Sequence, residues 1–556
     1  MRSSGFILIC LIGLFLAGCR HAVGPTPQHP PAPPPGQILF EEMQPTSGID
    51  FRLGYRPGQQ IGIKETSGHP VALLDADGDG RLDVLVAGPD RVTLYRNLGG
   101  WKFQPVANAG FRQKGFWQGV AVGDVNNDGR PDIYLCGYQC AALYLNTGNG
   151  RFRDVTSESG LENTRFWETS AAFADVDRDG RLDLYVTCYV DLSHSSGLCT
   201  YPGGVSTACN PLQLPTQRGV FYRNLGGARF ANATQAFGLE GAHGNGLGAA
   251  FGYPNGSDYP DLYLANDEHL CDLFVNQQGH RFVNTGTSSG TAFRLDGAAQ
   301  AGMGVDFGDY DNDGHEDIVV TNYLGEPKSL YHNDTEGLFT NVTNSANLGP
   351  ATLAFAGWGV KWVDLDNDGW LDLAIANGHP LHRIHDLDPS VTSSQRFQVV
   401  RSLGDDHLAE RSPVGDSYFA EQTSVGNGLP RVIAGRALCT GDLDNDGRID
   451  LVISDIEGQP LLLRNTSTGT GHWLTVRLVG NRVTEGTQVV VRAGTKQWKR
   501  RSTTGGSYLS ASDPRVHFGL GEVSKLDEVQ VRWPDVKTTL LHDVPADQEL
   551  AVKAER

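Results

Sequence analysis

Six nonapeptides of the form D-x-[DN]-x-D-G-x-x-D hold the residues of this 556-residue chain best suited to chemistry. They read DADGDGRLD (75–83), DVNNDGRPD (124–132), DVDRDGRLD (175–183), DYDNDGHED (309–317), DLDNDGWLD (364–372) and DLDNDGRID (442–450). Carboxylates this close repel, by about 4 kcal/mol per pair at ~4 Å and an effective dielectric of ~20, and a hard cation reverses that sign. The side chains at positions 1, 3, 5 and 9 supply the oxygens that Ca²⁺ prefers. They are Asp75, Asp77, Asp79 and Asp83; Asp124, Asn126, Asp128 and Asp132; Asp175, Asp177, Asp179 and Asp183. The later three sets are Asp309, Asp311, Asp313 and Asp317; Asp364, Asp366, Asp368 and Asp372; Asp442, Asp444, Asp446 and Asp450. Position 7 offers a main-chain carbonyl, at Arg81, Arg130, Arg181, His315, Trp370 and Arg448, and Gly at position 6 permits the sharp turn. An EF-hand needs a Glu at position 12 and flanking helices, and neither is present. About six Ca²⁺ are expected. A seventh, degenerate copy, YPNGSDYPD (253–261), keeps only Asn255, Ser257 and Asp261 at ligand positions.

The ligand positions take 23 of the 64 acidic residues, and six Ca²⁺ would move the formal charge from −19 to about −7. Much of the acidity is thus internal coordination, and an acidic chain is a poor partner for nucleic acid phosphates.

Two further elements recur in step with the acidic loops. One is the run Leu94-Tyr95-Arg96-Asn97, repeated as Leu143–Asn146, Phe221–Asn224, Leu273–Asn276, Leu330–Asn333 and Leu462–Asn465, with a weaker Val399–Ser402. The other is a strand opened by Phe40, Phe103, Phe152, Phe230, Phe282, Phe339 or Phe419. Short β-branched and aromatic runs bounded by Gly or Asn read as strands and hairpin turns. Seven such four-stranded units predict an all-β protein: a seven-bladed β-propeller with Ca-binding loops, followed by a small C-terminal β domain. Phe40 precedes every acidic loop, and no Phe strand follows Asn465. The strand near 38–43 is therefore expected to complete the seventh blade and close the ring.

Ahead of the propeller lies an apolar run, Phe6–Ala17, too short to cross a bilayer. With Arg2 before it, the run reads as an export signal. Its end, Leu16-Ala17-Gly18-Cys19, resembles the bacterial lipobox, which implies a lipidated Cys19 and a membrane anchor. Arg20 follows in place of an Asp, which favours the outer membrane or cell surface over the inner membrane. The proline-rich 24–36 then acts as a spacer. The expected domains are a signal peptide (1–18), lipidated Cys and linker (19–37), propeller (38–468) and C-terminal β domain (469–556). Among the remaining cysteines, Cys199 and Cys209 bracket a Gly/Pro-rich loop and are the first disulfide candidates; Cys136 and Cys140, across a short turn, are the second.

The acidic loops and their strands resemble FG-GAP/VCBS repeats. The tail resembles an ASPIC/UnbV domain through GHWLTVRLVGNR (471–482), VHFGLG (516–521) and VRWPD (531–535). AGMGVDFGDYDNDG (301–314) and ANGHP (376–380) are similar to phrases in bacterial relatives of the cartilage acidic protein family. VTEGTQV (483–489) and WPDV depart from that pattern. The tail carries 13 Lys and Arg against 10 Asp and Glu, and its run Lys496–Arg501 reads as a solvated strand edge.

No G-x-S-x-G, phosphate loop or paired Cys/His signature nominates a catalytic residue. His379, His382 and His385 lie three apart in an insertion with no helix evident to align them. The leading reading is a monomeric, calcium-stabilised, membrane-anchored extracytoplasmic binding or adhesion protein. It would grip a protein or glycan with face loops built from the insertions 184–220 and 373–418. The alternative is a Ca-dependent polysaccharide lyase or hydrolase working in the funnel.

Overall fold

A computed structural model describes residues 37–554, apart from 45, 54, 56–58, 336, 405–417, 423–430 and 481. The signal, Cys19 and most of the linker lie outside the described residues.

Seven antiparallel four-stranded sheets follow one another along the chain. Their innermost strands are Val71–Leu74, Trp117–Gly123, Glu168–Ala174, Gly246–Gly252, Val305–Gly308, Gly357–Val363 and Gly435–Gly441. Each inner strand packs against the next, and the seventh returns to the first, so the sheets form a ring of blades. Each acidic loop joins the first two strands of its blade, and each run ending in Asn is the third strand. Every Phe opens or lies near the start of the fourth, outermost strand. Phe40–Glu42 pairs with Leu463–Asn465 and supplies that strand to the seventh blade.

The strands are apolar on both faces because blades stack on both sides; Val71–Leu74 and Asp83–Gly88 are buried throughout. Fully buried tyrosines (Tyr95, Tyr134, Tyr144, Tyr185, Tyr263 and Tyr331) fill the wedges between blades.

The tail is a two-sheet sandwich. One sheet runs Val516–Gly521, His472–Val479, Gln548–Lys553; the other runs Lys496–Arg501, Gln488–Ala493, Lys525–Arg532, Thr538–Pro545. Leu474, Val489, Val491, Phe518, Val529 and Trp533 form the core between them.

One loop of the tail, 502–515, enters the bore of the propeller. Ser510–Ala511 pairs in parallel with the inner strand of blade 1. Ser507 N donates to Val305 O of blade 5 at 2.6 Å, Leu509 N to Ser170 Oγ of blade 3, and Thr504 Oγ1 to Val122 O of blade 2. The hydroxyls of Ser507 and Ser510 both donate to Leu438 O of blade 7, at 2.8 and 2.7 Å. At the far end Tyr508 is fully buried beside Trp358, its hydroxyl on Ser67 O. Ile63, Val190, Leu192, Cys209 and Leu214 join Tyr508 and Leu509 in one apolar cluster that closes the opposite mouth. Loop and cluster obstruct the bore from its two ends, leaving a cavity of about 170 Å³ beneath the tail, lined among others by Phe173, Phe251, Asp306, Lys361, Glu485 and Arg501.

Cys199 and Cys209 form a disulfide in the hairpin Leu198–Tyr201/Val205–Ala208. Cys136 and Cys140 do not: both are free thiols. Cys136 lies opposite Ala141 and Gly137 opposite Cys140, so the two sulfurs point to opposite faces of the sheet.

Candidate metal centres

The six acidic loops share one local construction. Positions 4 and 6 take positive φ: Gly78 and Gly80, Asn127 and Gly129, Asn367 and Gly369, Asn445 and Gly447 among them. Asn tolerates that conformation and Gly adopts it freely. The bend folds the loop around its first carboxylate. One oxygen of Asp75, Asp124, Asp175, Asp309, Asp364 or Asp442 accepts the N–H of the position-6 glycine at 2.7–3.1 Å. The position-9 aspartate is held harder. Asp83 accepts from Ala76 N and Asn97 N, and Asp132, Asp183, Asp317, Asp372 and Asp450 repeat the pattern.

Carboxylate oxygens of Asp75, Asp77 and Asp79 lie within 4.8 Å of one another, as do those of Asp175, Asp177 and Asp183; Asp309, Asp311 and Asp317; and Asp364, Asp366 and Asp372. Several oxygens of these loops have no hydrogen-bond donor although they are buried: Asp177 Oδ1, Asp309 Oδ1, Asp366 Oδ1 and Asp444 Oδ1. Orphaned buried acceptors converging on one point fit a hard cation with oxygen ligands. The position-7 side chains fold back over the loop: Arg81, Arg130, Arg181 and Arg448 donate through Nε to the carbonyl of Asn97, Asn146, Asn224 and Asn465 and pair with the position-5 carboxylates Asp79, Asp128, Asp179 and Asp446.

Unless a cation balances them, the position-1 and position-9 carboxyls resist ionisation. Burial, reinforced by repulsion from Asp77, pushes Asp83 up to about 7. Asp132 rises to about 8 for the same reasons, with Asp124 as the neighbour. Asp175 and Asp442 rise to about 6.

Two site features went unread in the sequence. The third-strand residue before Asn neutralises position 3: Arg96 pairs with Asp77, Arg223 with Asp177 at 2.5 Å, His332 with Asp311 at 3.0 Å, Arg401 with Asp366 and Arg464 with Asp444 at 2.9 Å. Where that residue is Leu145 or Val275, position 3 is Asn126 or Asn255. The covariation between repeats was visible without a structure.

The Asn itself ties blade to blade. Asn97 Nδ2 donates to Leu82 O of its own loop and to Leu443 O of blade 7, at 3.0 and 2.8 Å. Asn146 reaches Ala76 O, Asn224 Val125 O, Asn276 Val176 O, Asn333 Pro254 O and Asn465 Leu365 O, always in the preceding blade. Position-4 asparagines stitch the other way. Asn127, Asn312, Asn367 and Asn445 donate to Gly180, Gly369, Gly447 and Gly80 O of the next loop.

The degenerate fourth loop is built differently. Asn255 Nδ2 donates to Asp261 Oδ1 at 3.2 Å, Tyr253 lies under Arg501 of the tail at 3.8 Å, and Arg532 pairs with Asp258 at 2.8 Å. Guanidinium groups of the tail thus lie directly against this loop.

Lys496–Arg501 is the edge strand of its sheet with Lys496 and Gln497 exposed, but from Trp498 onward it is covered rather than solvated. Trp498 Nε1 donates to Gly369 O, Lys499 Nζ to Gly314 O and Arg500 to Asn312 Oδ1. The basic strand lies on the acidic loops, where charge complementarity draws it out of water.

The three histidines do not converge. His379 is buried, with Nε2 3.0 Å from Tyr323 Oη; His382 pairs with Glu457 at 2.9 Å; His385 is exposed on a one-turn helix, Ile384–Leu387.

Residues 75–135, 135–186, 254–320 and 309–375 match the FG-GAP-like repeat, and residues 479–556 match ASPIC and UnbV. The chain thus carries FG-GAP-like repeats within its β-propeller and an ASPIC and UnbV match over residues 479–556. It is similar to cartilage acidic protein 1: 30% identical to the mouse protein over 300 residues, 52% of this chain and 42% of that one. The *Xenopus tropicalis* protein is 28% identical over 392 residues, 69% of this chain and 54% of that one. The chain spans about half the length of these curated relatives. Among solved structures, an *Agrocybe aegerita* lectin recognising non-reducing terminal N-acetylglucosamine aligns with a TM-score of 0.39 at 15% identity, over 71% of this chain and 93% of that one. YCF48 bound to a D1 peptide aligns with a TM-score of 0.39 at 10% identity, over 76% and 99%. Among the described residues no helix is long and apolar enough to cross a membrane.

Proposed function

We propose that this protein is a calcium-stabilised binding or adhesion module, exported and held at the membrane by a lipid on Cys19, recognising a protein or glycan with the propeller face opposite the acidic loops. The observation that carries the reading is the blocked bore. A funnel enzyme needs an open central cavity, and here loop 502–515 and the cap of Ile63, Leu192 and Leu214 obstruct the bore; the cavity of about 170 Å³ left beneath the tail is smaller than the roughly 300–1,000 Å³ of an ordinary ligand pocket. Recognition then belongs to an outer face. The connections after Asp183–Cys188 and Asp372–Asn377 both lie at the end away from the acidic loops, which join the preceding strand pairs. The span 373–418 is not all insertion: it contains the blade strands Asp372–Asn377 and Gln398–Ser402, leaving 378–397 as the face loop. The lipid anchor rests on Leu16-Ala17-Gly18-Cys19 and the spacer behind it.

The test is a glycan and surface-protein array probed with the mature chain in millimolar Ca²⁺. Binding that is lost on substituting exposed Leu212 by Glu, with the melting temperature unchanged, supports the reading. Deleting 193–214 would be a poorer probe because Ala208, Cys209 and Leu214 belong to the core. Turnover of a polysaccharide that disappears in His382→Ala, without loss of stability, would favour the lyase or hydrolase instead.

A further inference from the structure

The tail rests on the very loops that have the geometry to hold metal. On blade 6, Gly471 N donates to Asp366 O at 2.9 Å and Gly521 N to Asn367 O at 2.8 Å. His517 Nε2 lies 2.8 Å from Asn367 Oδ1. Gly519 is closer still: a Cβ there would come within 2.0 Å of Asp364 Oδ2, so only glycine lets the tail backbone reach the first carboxylate of the loop. On blade 7, Arg515 donates to Asp442 O at 2.9 Å and to Asn445 Oδ1 at 2.8 Å. On blade 5 the partners are Gly314 O and Asn312 Oδ1. These groups belong to positions 1, 3, 4 and 6, whose placement depends on how tightly the loop closes around its centre. Among the described residues, the blade 1 loop 75–83 makes no hydrogen bond or ion pair with the tail.

The same tail carries the loop that enters the bore. Arg515 lies three residues beyond Ser512, and Arg501 directly precedes Ser502, so both stems of the 502–515 loop start from side chains seated on acidic loops. We propose that metal held by the loops of blades 5, 6 and 7 keeps the tail docked and its loop seated in the bore, so that loss of metal there withdraws the stopper and opens the channel while the blades persist. This rests on the calcium reading. Its independent support is the buried Oδ1 atoms of Asp309 and Asp366 beneath the tail, which no donor reaches, and the approach of Gly519 to Asp364. A ligand would meet the interior of this propeller only after metal is withdrawn.

Hydrogen exchange of the full mature chain tests the inference, with bound metal counted in the same samples. In millimolar Ca²⁺ the peptide covering 502–515 should be protected. Stepwise chelation should raise its exchange at least tenfold before strand Asp132–Gly137 of blade 2 responds. Asp364→Ala and Asp442→Ala should each lose about one ion and expose 502–515 at saturating Ca²⁺; Asp75→Ala should lose one ion and leave it protected. Equal exposure in Asp75→Ala and Asp364→Ala, or opening of 502–515 and blade 2 together, overturns the gating with the calcium reading intact. A chain that binds no Ca²⁺ overturns both.

Discussion

At the residue scale, the asparagine closing the third-strand run in six of the seven blades links coordination to architecture. Its main-chain N–H fixes the position-9 aspartate, while its side chain spans two blades. Replacing Asn224, which is fully buried, by Ala would strand the carbonyls of Val125 and Leu182. We expect a loss of about 2–4 kcal/mol, from two unsatisfied buried acceptors, measurable by denaturant unfolding. The charge pairing is separable. Arg223→Leu should weaken the blade 3 loop because Asp177 loses its partner, and adding Asp177→Asn should recover part of the loss, reproducing the Leu145/Asn126 pair of blade 2. A double mutant no better than the single would show that Arg223 acts by packing alone.

At the scale of the loop, metal and protons compete. The position-1 and position-9 carboxyls are raised above their unfolded values, so the metal-free folded state binds more protons than the unfolded chain between about pH 4 and pH 8. Stability of the chelated protein should therefore fall as pH rises through that window. Ca²⁺ held by the loops would replace those protons, each site contributing about 2.7 kcal/mol at a hundredfold excess over Kd. The gap in melting temperature between Ca²⁺ and chelator should be wide at pH 8 and shrink toward pH 5; a gap independent of pH would contradict coordination by these carboxyls. The loops, their strands and the closing Phe40 strand were legible because each is a local pattern repeated in register. The stopper was not: SYLSAS (507–512) has no periodicity of its own, and apart from Ser512 N on Thr504 O its bonds go to residues far away in sequence. The basic strand was misread for the same reason, since Trp498 and Arg500 look like edge residues until the acidic loops are placed beneath them.

At the scale of the whole molecule, the fourth blade takes its support from the tail where the others have the geometry for an ion. Tyr253→Ala should leave the metal count unchanged but remove the ring under Arg501, lowering the melting temperature and exposing 502–515. Unchanged protection would mean that Arg501 is held sufficiently by Glu316. The free thiols give an independent reading of blade integrity. Cys136, Cys188, Cys271 and Cys439 are buried, and burial raises each above an ordinary thiol. They should resist alkylation in the folded protein and react on global unfolding, while Cys140, half-buried, should react first.

The pairing that closes the ring also decides how the molecule bears load. If the chain is tethered through its first residues, any pull from that side enters the propeller at Gln37 and is passed to Thr468 and then to the three-residue ladder of Phe40–Glu42 on Leu463–Asn465. Asn465 is in turn bonded to Leu365 of the neighbouring blade. A surface protein dragged by its ligand would thus strain the seventh blade before any other. The rupture force of that short ladder, rather than the strength of the ring as a whole, sets how hard the anchored molecule can be pulled before its circle opens.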